Sequence, residues 1–297
     1  MLNKIAYFLI VYPISRMPFV MLYAFSDFLF FLIFRVTGYR RKVVFDNLKN
    51  SFPEKEDKEL RKIEKKFYQH FCDLIVESIK GFTISENEAL KRMTYTNTDV
   101  IDKLAEKNKS VTLIGGHFCN WELLAVTIAQ TVPHKVKALY TPLKGKYWDD
   151  KITISRSRFG LKMFSIKNVK KLRDSLKGEL SGVIFGSDQS PSNPTKAYWL
   201  RFLNQDTGVQ FGAEKHAKEF DTAVVYGAIT KKKRGYYNTD FVQLFEDVKG
   251  LEYGAVIESF SATLEEKIKE NPQYYLWTHR RWKHKLPEGI SLGQRLV

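Results

Sequence analysis

The chain has 297 residues, enough for one large domain or two small ones, and a hydrophobic content of 44% is ample for a buried core. Its formal net charge of +15 at pH 7 implies an anionic partner: nucleic acid, an acidic protein or a negatively charged membrane surface. Two cysteines, Cys72 and Cys119, exclude a disulfide framework and fit a reducing compartment. Without an internal repeat or a long Gly/Ser linker, the sequence predicts one globular domain with an N-terminal appendage.

The appendage is an apolar stretch over residues 5–34, interrupted by charge only at Arg16 and Asp27. It is longer than the roughly 20 residues that a membrane-spanning helix needs, and no Ala-x-Ala-like cleavage site follows it. The charges and two prolines also fit a kinked anchor lying partly in the membrane interface, and a buried helical hairpin is the alternative. Basic residues between positions 35 and 42 follow at once and place the downstream domain in the cytoplasm by the positive-inside rule. We therefore predict a membrane anchor over residues 1–38 and a folded domain over residues 39–297.

Two helices are predicted directly after the anchor. The first lies within residues 39–54 and ends at Ser51 and Pro53, since proline does not continue a helix. The second covers residues 55–79, where apolar side chains recur every three to five positions and form a stripe that we expect to face the core. That stripe consists of Leu60, Ile63, Phe67, Phe71, Leu74 and Ile79.

The remaining sequence alternates between predicted strands and helices. Strands are expected at 111–114, 136–140, 163–166, 180–185, 222–229 and 236–245, with Lys231–Arg234 at the hairpin turn between the last two. Helices are expected at 121–131, 141–159, 169–176, 209–220 and 256–270. This alternation predicts an α/β fold, a mixed sheet with helices on both sides.

The most informative stretch is the corner between the strand at 111–114 and the helix that follows it. Gly115 and Gly116 form the turn. His117 lies in that turn, and Glu122 lies in the first turn of the helix that follows. Since ligands of open α/β sheets bind at the carboxyl ends of strands, both side chains are candidates for chemistry. A carboxylate fixes the tautomer of a histidine and stabilises its charged form, so the pair suggests general-base activation of a substrate hydroxyl.

Other interpretations of this corner remain open at the level of residue types. His117 can be a surface histidine, and Glu122 a helix-start residue favoured by the helix dipole. Cys119 can be a nucleophile paired with His117, although nothing nearby marks its pKa as lowered. One His and one Glu are too few for a metal site, and no His-Glu-x-x-His or Cys-x-x-Cys spacing occurs, so we expect no metal and no cofactor.

The segment 116–122, Gly-His-Phe-Cys-Asn-Trp-Glu, resembles the His-x4-Asp/Glu motif of the lysophospholipid acyltransferase superfamily. Its Asn-Trp-Glu version is similar to that of the late (secondary) acyltransferases of lipid A biosynthesis. The resemblance extends over residues 1–290 and includes, in the family's order, Tyr-Arg-Arg at 39–41, the motif itself, an Asp-Gln pair at 188–189 and His-Arg-Arg at 279–281. One departure is Asn204-Gln205, where a glycine is more usual.

The resemblance implies roles for individual residues. His117 is the catalytic base and Glu122 orients it and balances its charge. Six further residues are implied to contact substrates: Arg156, Arg158, Asp188, Gln189, Arg280 and Arg281. Arginine suits a phosphate through its planar guanidinium with several donors, and the aromatic and basic residues at 274–283 suit an interfacial surface. Backbone N–H groups at Gly115-Gly116 are candidate donors to an oxyanion.

The implied function is transfer of a fatty acyl chain from acyl carrier protein to a hydroxyl of a lipid A precursor, at the cytoplasmic face of a bacterial inner membrane. Residues 39–297 would then be an acyltransferase domain of lysophospholipid-acyltransferase type. A rival of the same superfamily would acylate another lipid, such as a lysophospholipid, a phosphoinositide mannoside or an aminolipid. A rival outside enzymes is a membrane-tethered nucleic-acid-binding protein, but the sequence contains no nucleic-acid-binding module, so no nucleic-acid partner is expected.

Overall fold

Seven strands form one mixed sheet through the centre of the protein, in a computed structural model that describes residues 2–293. In spatial order they are β1 (Met93–Thr96), β9 (Tyr236–Phe245), β8 (Ala223–Lys233), β2 (Val111–Gly115), β5 (Ser181–Gly186), β3 (Lys135–Tyr140) and β4 (Lys162–Ser165). The β8–β9 pair is antiparallel and the other five neighbouring pairs are parallel. The carboxyl ends of β8, β2 and β5 therefore lie at one edge of the sheet.

Helices cover both sides of the sheet, and a separate hairpin joins two short strands. The helices are α1 (Leu2–Ala6), α2 (Tyr12–Arg16), α3 (Phe19–Phe30), α4 (Arg41–Ser51), α5 (Asp57–Lys80), α6 (Glu86–Arg92), α7 (Asp99–Glu106), α8 (Trp121–Thr127), α9 (Lys146–Arg156), α10 (Val169–Leu176), α11 (Gly212–Phe220) and α12 (Ala255–Glu270). The hairpin consists of β6 (Tyr198–Phe202) and β7 (Gln205–Val209). The expected α/β class, with a mixed sheet flanked by helices, is confirmed.

Several predicted boundaries are corrected. The helix expected at 209–220 begins at Gly212, since Val209 still pairs with Tyr198 in the β6–β7 hairpin. The helix expected at 141–159 is the shorter α9. Lys231–Lys233 are not a turn: they continue β8, and the chain reverses at Arg234-Gly235, where Gly235 has a φ of +76°. The strand β8 extends to Lys233 because its residues pair with β9 as far as Tyr236.

The N-terminal region contains one continuous helical segment, Phe19–Thr37, that is long and apolar enough to cross a membrane. One face of it packs on α5, where Leu22 is buried and the Ser26 hydroxyl donates to Asp73 at 2.8 Å. Its other face carries exposed apolar side chains: Val20, Met21, Phe28, Phe31, Leu32 and Val36. A helix that is apolar toward solvent is consistent with a membrane anchor. Of the predicted domain over 39–297, residues 294–297 lie outside the described residues.

Candidate functional site

The candidate site begins where β2 ends. Gly115 is the last residue of β2, and Gly116 passes so close to α12 that an added Cβ would lie 2.8 Å from a methyl carbon of Leu264. A side chain at Gly116 would force the Leu264 side chain to shift, so the close approach of α12 favours glycine there. The next residue, His117, projects at the carboxyl edge of the sheet beside the end of β5, and an added Cβ at Gly186 would lie 3.4 Å from its Cε1.

The direct partner of His117 is Asp188, which follows β5. The His117 Nδ1 lies 2.6 Å from one carboxylate oxygen of Asp188, and the His117 backbone N–H donates to the other oxygen at 2.8 Å. The side chain of Asp188 is 4% exposed and that of His117 is 22% exposed. A buried carboxylate that grips both the backbone and the ring fixes the orientation of the imidazole.

The electrostatics of this pair favour its charged form. Burial lowers the pKa of His117, but the charge of Asp188 and its hydrogen bond, with a further contribution from Glu122, bring the net pKa above the ordinary value for imidazole. Burial raises the pKa of Asp188, but the charge of His117, the hydrogen bonds from it and the charge of Arg281 hold the net pKa below its usual value. An Asp188 ionised at neutral pH can only accept, so His117 must carry its proton on Nδ1.

The opposite ring nitrogen is therefore the basic one. With the proton on Nδ1, neutral His117 presents a lone pair on Nε2, which lies 3.1 Å from the side-chain amide nitrogen of Gln189. An amide N–H of Gln189 can donate to that lone pair until a substrate hydroxyl replaces it. Asp188 and Gln189, which the family resemblance implies to contact substrates, both lie beside the His117 ring.

Glu122 does not orient His117 in the way expected from the sequence. Its carboxylate binds the Arg156 guanidinium through both oxygens, with the Nε–Oε2 distance at 2.8 Å, and accepts from the indole N–H of Trp121 at 3.1 Å. The physical reason is the helix: five positions after His117, Glu122 lies on the α8 side that faces Arg156 at the end of α9. Glu122 acts on His117 through its charge and positions Arg156.

The turn that carries His117 is supported from the C-terminal segment. Phe118 pairs with Tyr275 as an isolated bridge, the Cys119 N–H donates to the Tyr274 carbonyl at 3.0 Å, and the Leu276 N–H donates to the His117 carbonyl at 3.2 Å. Cys119 has a φ of +53°, a left-handed conformation that is strained for a side chain bearing a Cβ. Cys119 is fully buried, and burial raises the pKa of its thiol, which disfavours the thiolate that a nucleophile needs.

The two arginines of the C-terminal patch differ in position. Arg280 is exposed, as a surface contact requires. Arg281 is 3% exposed and donates to the Gly208 carbonyl at 2.7 Å, so it is not a surface cation. Its neighbour His279 accepts from the Ser190 N–H at 3.0 Å, and burial together with the charge of Arg281 lowers the pKa of His279 to about 4. The patch braces the loop after Asp188.

The Tyr-Arg-Arg region braces the same patch from the other side. Arg40 donates to the Thr278 carbonyl at 2.9 Å, and the Asn47 amide donates to the carbonyls of Trp277 and His279 at 2.9 and 3.1 Å. These contacts join positions more than 200 residues apart in the sequence. Two motifs that the sequence analysis treated separately therefore form one support for the catalytic corner.

Arg158 lies farther along the α9 end than Arg156. It is exposed, donates to the Gly81 carbonyl at 3.0 Å and stacks over Phe159 at 4.9 Å from the ring centroid. Burial lowers the pKa of Arg158, while Tyr7 opposes that effect. Arg156 is therefore paired with Glu122 near His117, whereas Arg158 lies at the exposed rim of the site, next to the end of α5.

One residue of the site was missed by the sequence analysis. The Glu77 carboxylate on α5 accepts from the Asn120 amide at 2.7 Å, from the Tyr237 hydroxyl at 2.7 Å and from the Tyr23 hydroxyl at 2.8 Å. Asn120 also caps α8 by accepting from the Leu123 N–H at 2.8 Å. In the sequence, Glu77 is a polar position in an amphipathic helix, and only the spatial convergence reveals it.

The chain is similar over most of its length to bacterial acyltransferases of lipid A biosynthesis. Residues 3–284 match the family model described as bacterial lipid A biosynthesis acyltransferase. The chain is 21% identical to the lipid A biosynthesis palmitoleoyltransferase of Escherichia coli (strain K12). The similar region has 255 residues and covers 85% of this chain and 81% of that protein. The chain has the same identity and coverage with the lipid A biosynthesis acyltransferase of Shigella flexneri. With nearly its whole length matched and its histidine and acidic motif residues gathered at one sheet edge, the chain belongs to the bacterial lipid A biosynthesis acyltransferase family.

Proposed function

We propose that this acyltransferase moves a fatty acyl chain from the thioester of an acyl carrier protein to a hydroxyl group of a lipid A precursor. The observation that carries the proposal is the state of His117: Nδ1 is held by the buried Asp188, and Nε2 offers its lone pair in a partly exposed position. That arrangement provides a general base for a hydroxyl of the acceptor.

The reaction needs one base and no covalent acyl-enzyme. The acceptor hydroxyl gives its proton to the His117 Nε2 as its oxygen attacks the thioester carbonyl carbon. The resulting imidazolium is stabilised by Asp188, and the negative charge of Glu122 favours it further. The tetrahedral intermediate then collapses, the carbon–sulfur bond breaks, and the departing thiolate takes the proton from His117.

The remaining candidate residues are proposed to bind the substrates. Arg156, oriented by Glu122, and Arg158 at the rim offer guanidinium donors to a phosphate of the lipid or of the donor's prosthetic arm. Arg280 is the exposed arginine of the C-terminal patch and suits the acidic carrier protein. Gln189 occupies the Nε2 lone pair before the acceptor binds, and Arg281 holds the C-terminal patch against β7 through the Gly208 carbonyl.

The proposed location is the inner membrane, with the folded domain on its cytoplasmic side, where an acyl carrier protein is accessible. The exposed apolar face of the segment Phe19–Thr37 supports membrane attachment, and the basic residues at 40–42 support the orientation.

The test is a reconstituted assay with purified full-length protein, acyl-carrier-protein thioester and a panel of acceptors. The panel contains a lipid A precursor and a lysophospholipid, and mass spectrometry identifies the product. We expect the lipid A precursor to gain one acyl chain and His117→Ala to abolish that gain. Transfer to the lysophospholipid with none to the lipid A precursor would contradict the proposed acceptor, and transfer by His117→Ala would contradict the proposed base.

A further inference from the structure

A polar cavity lies at the carboxyl end of β8, beside the loop that carries His117. It has a volume of about 450 Å³. Its walls come from α5, the end of β8, the helix α3 and the C-terminal segment. The lining residues are Asp27, Lys66, Gln69, His70, Asp73, Lys231, Lys232, Lys233, Arg234, Gln273 and Tyr274. None of them is among the catalytic and substrate-contacting residues that the family resemblance implies.

The cavity is positively charged after its internal ion pairs are counted. Five cationic side chains face two carboxylates, which leaves an excess of three positive charges. Arg234 bridges both carboxylates, at 2.6 Å to Asp27 and 2.7 Å to Asp73, and Lys231 lies 3.3 Å from Asp73. Burial and the nearby Lys231 lower the pKa of His70 to about 3, so His70 adds no charge at neutral pH.

Three of the cations have no acidic partner within residues 2–293. Lys66 on α5 and Lys232 on β8 are both exposed and make no ion pair there, while the Lys233 ammonium lies over the Tyr236 ring at 4.4 Å. Like charges that converge on a cavity repel one another, and an anion bound between them would remove that cost. The amides of Gln69 and Gln273 add neutral donors to the same lining.

The position of the cavity points to a lipid as the source of the anion. Asp27, in its wall, belongs to the segment Phe19–Thr37, and the neighbouring Phe28 and Phe31 are 57% and 56% exposed. A phosphate in the cavity would therefore lie beside an apolar helix face that can accommodate acyl chains. A soluble anion would gain nothing from that face.

We propose that this cavity, formed by Lys66 and the strand end Lys231–Arg234, binds the phosphate of an anionic membrane lipid headgroup, separately from the catalytic corner. The cavity shares a wall with the motif loop, because the Tyr274 carbonyl that accepts from the Cys119 N–H belongs to a residue of its lining. A bound headgroup would thus hold the protein at the membrane with His117 facing the same edge.

The test compares two double variants with the same change in charge. Lys66→Glu/Lys232→Glu acts on the cavity, and Lys170→Glu/Lys171→Glu is the control on α10, which packs on β4 at the opposite side of the sheet. Detergent-purified full-length protein is titrated with fluorescent phosphatidic acid in mixed micelles. We expect the Kd to rise at least about tenfold in the cavity variant and less than about threefold in the control. Equal shifts in the two variants would overturn the proposal.

Two further measurements keep the result interpretable. Lys66→Gln/Lys232→Gln, with unchanged circular dichroism, should give an intermediate rise in Kd, and no rise in that folded variant would overturn the proposal. Inorganic phosphate is the competitor that separates the sources: we expect it to displace the fluorescent lipid much less than unlabelled phosphatidic acid does. Equal displacement would overturn the assignment to a lipid. Acyl transfer is not needed in this assay, so its outcome is independent of the proposed reaction.

Discussion

Replacement of Asp188 by asparagine tests the catalytic geometry most directly. Asp188 accepts two hydrogen bonds from His117, one from the backbone N–H at 2.8 Å and one from Nδ1 at 2.6 Å. Asparagine has only one acceptor oxygen. If that oxygen keeps the backbone bond, the amide N–H donates to Nδ1 and forces the ring proton onto Nε2. The Asp188→Asn variant then has no lone pair where the acceptor hydroxyl needs it.

The expected loss combines this tautomer change with the loss of a charge. General bases contribute roughly 10²–10⁴-fold, and an amide in place of the orienting carboxylate reaches the upper end of that range. We expect kcat/KM to fall by roughly 10³–10⁴-fold, equivalent to about 4–5.5 kcal/mol of transition-state stabilisation. The protein should remain folded because the change in side-chain volume is small.

The pH profile gives a second readout that a merely structural role would not move. The base must be neutral, so kcat/KM rises as the pH increases through the pKa of His117, which in the native protein lies above the ordinary value. Without the negative charge of Asp188, burial dominates and lowers the pKa of His117. The acidic limb of the residual activity should therefore move to lower pH.

Steady-state kinetics between pH 5 and 9 check both expectations, with Asp150→Asn as the control, since Asp150 forms an exposed ion pair with Lys146. Asp150→Asn should leave both kcat/KM and the profile unchanged. An Asp188→Asn enzyme that keeps kcat/KM within about threefold of the native value, with an unmoved limb, would refute the assignment of Asp188 as the partner of the base.

Five other substitutions separate the roles at the site. Glu122→Gln should lower kcat/KM less than Asp188→Asn does and about as much as Arg156→Ala does, because Glu122 acts through its charge and through Arg156. A larger loss in Glu122→Gln than in Asp188→Asn would contradict this order. Cys119→Ser should retain activity, and an inactive, folded Cys119→Ser with a trappable thioester would instead indicate a cysteine nucleophile. Arg281→Ala should lower the melting temperature and the activity, and each loss should be the same at low and high salt because Arg281 is buried. Arg280→Ala should instead weaken binding of the carrier protein, mainly at low salt.

Local sequence signals predicted the part of the site that lies on one continuous stretch. The apolar run at 111–114, the glycine pair and the helix after it placed His117 correctly after β2 and Glu122 in the first turn of α8. Helical spacing could not say which carboxylate reaches the imidazole, because Asp188 approaches from β5, 71 residues away. The parallel register of β2 and β5, which pairs Gly115 with Gly186, makes that contact.

The features that could not be predicted from the sequence depend on tertiary contacts with distant residues rather than on a local pattern of residue types. The short strand β1 has only four residues and pairs with β9, more than 140 positions later, so no local period marks it. Arg281 lies in an exposed-looking basic run but is buried, since a hydrogen bond to the Gly208 carbonyl draws it inward. Burial of this kind is decided by tertiary contacts and not by composition.

The apolar segment that we propose as the membrane anchor meets the catalytic corner at Glu77, and this suggests how to separate their effects. Glu77 accepts from the Tyr23 hydroxyl of the apolar segment and from the Asn120 amide of the motif. Deleting the segment would therefore disturb the corner as well as remove the anchor.

Two variants, one with three substitutions and one with a single substitution, separate the effects. Val20→Ser/Phe28→Ser/Phe31→Ser polarises only the exposed face, so we expect much of the protein to leave the membrane fraction while detergent-assayed activity stays within about threefold of native. Tyr23→Phe removes a hydrogen bond to Glu77 and should lower activity while the protein remains in the membrane fraction. Cell fractionation and the detergent assay measure both properties. If the serine variant stays with the membrane as firmly as the native protein, the exposed face of the segment is not what holds the enzyme there.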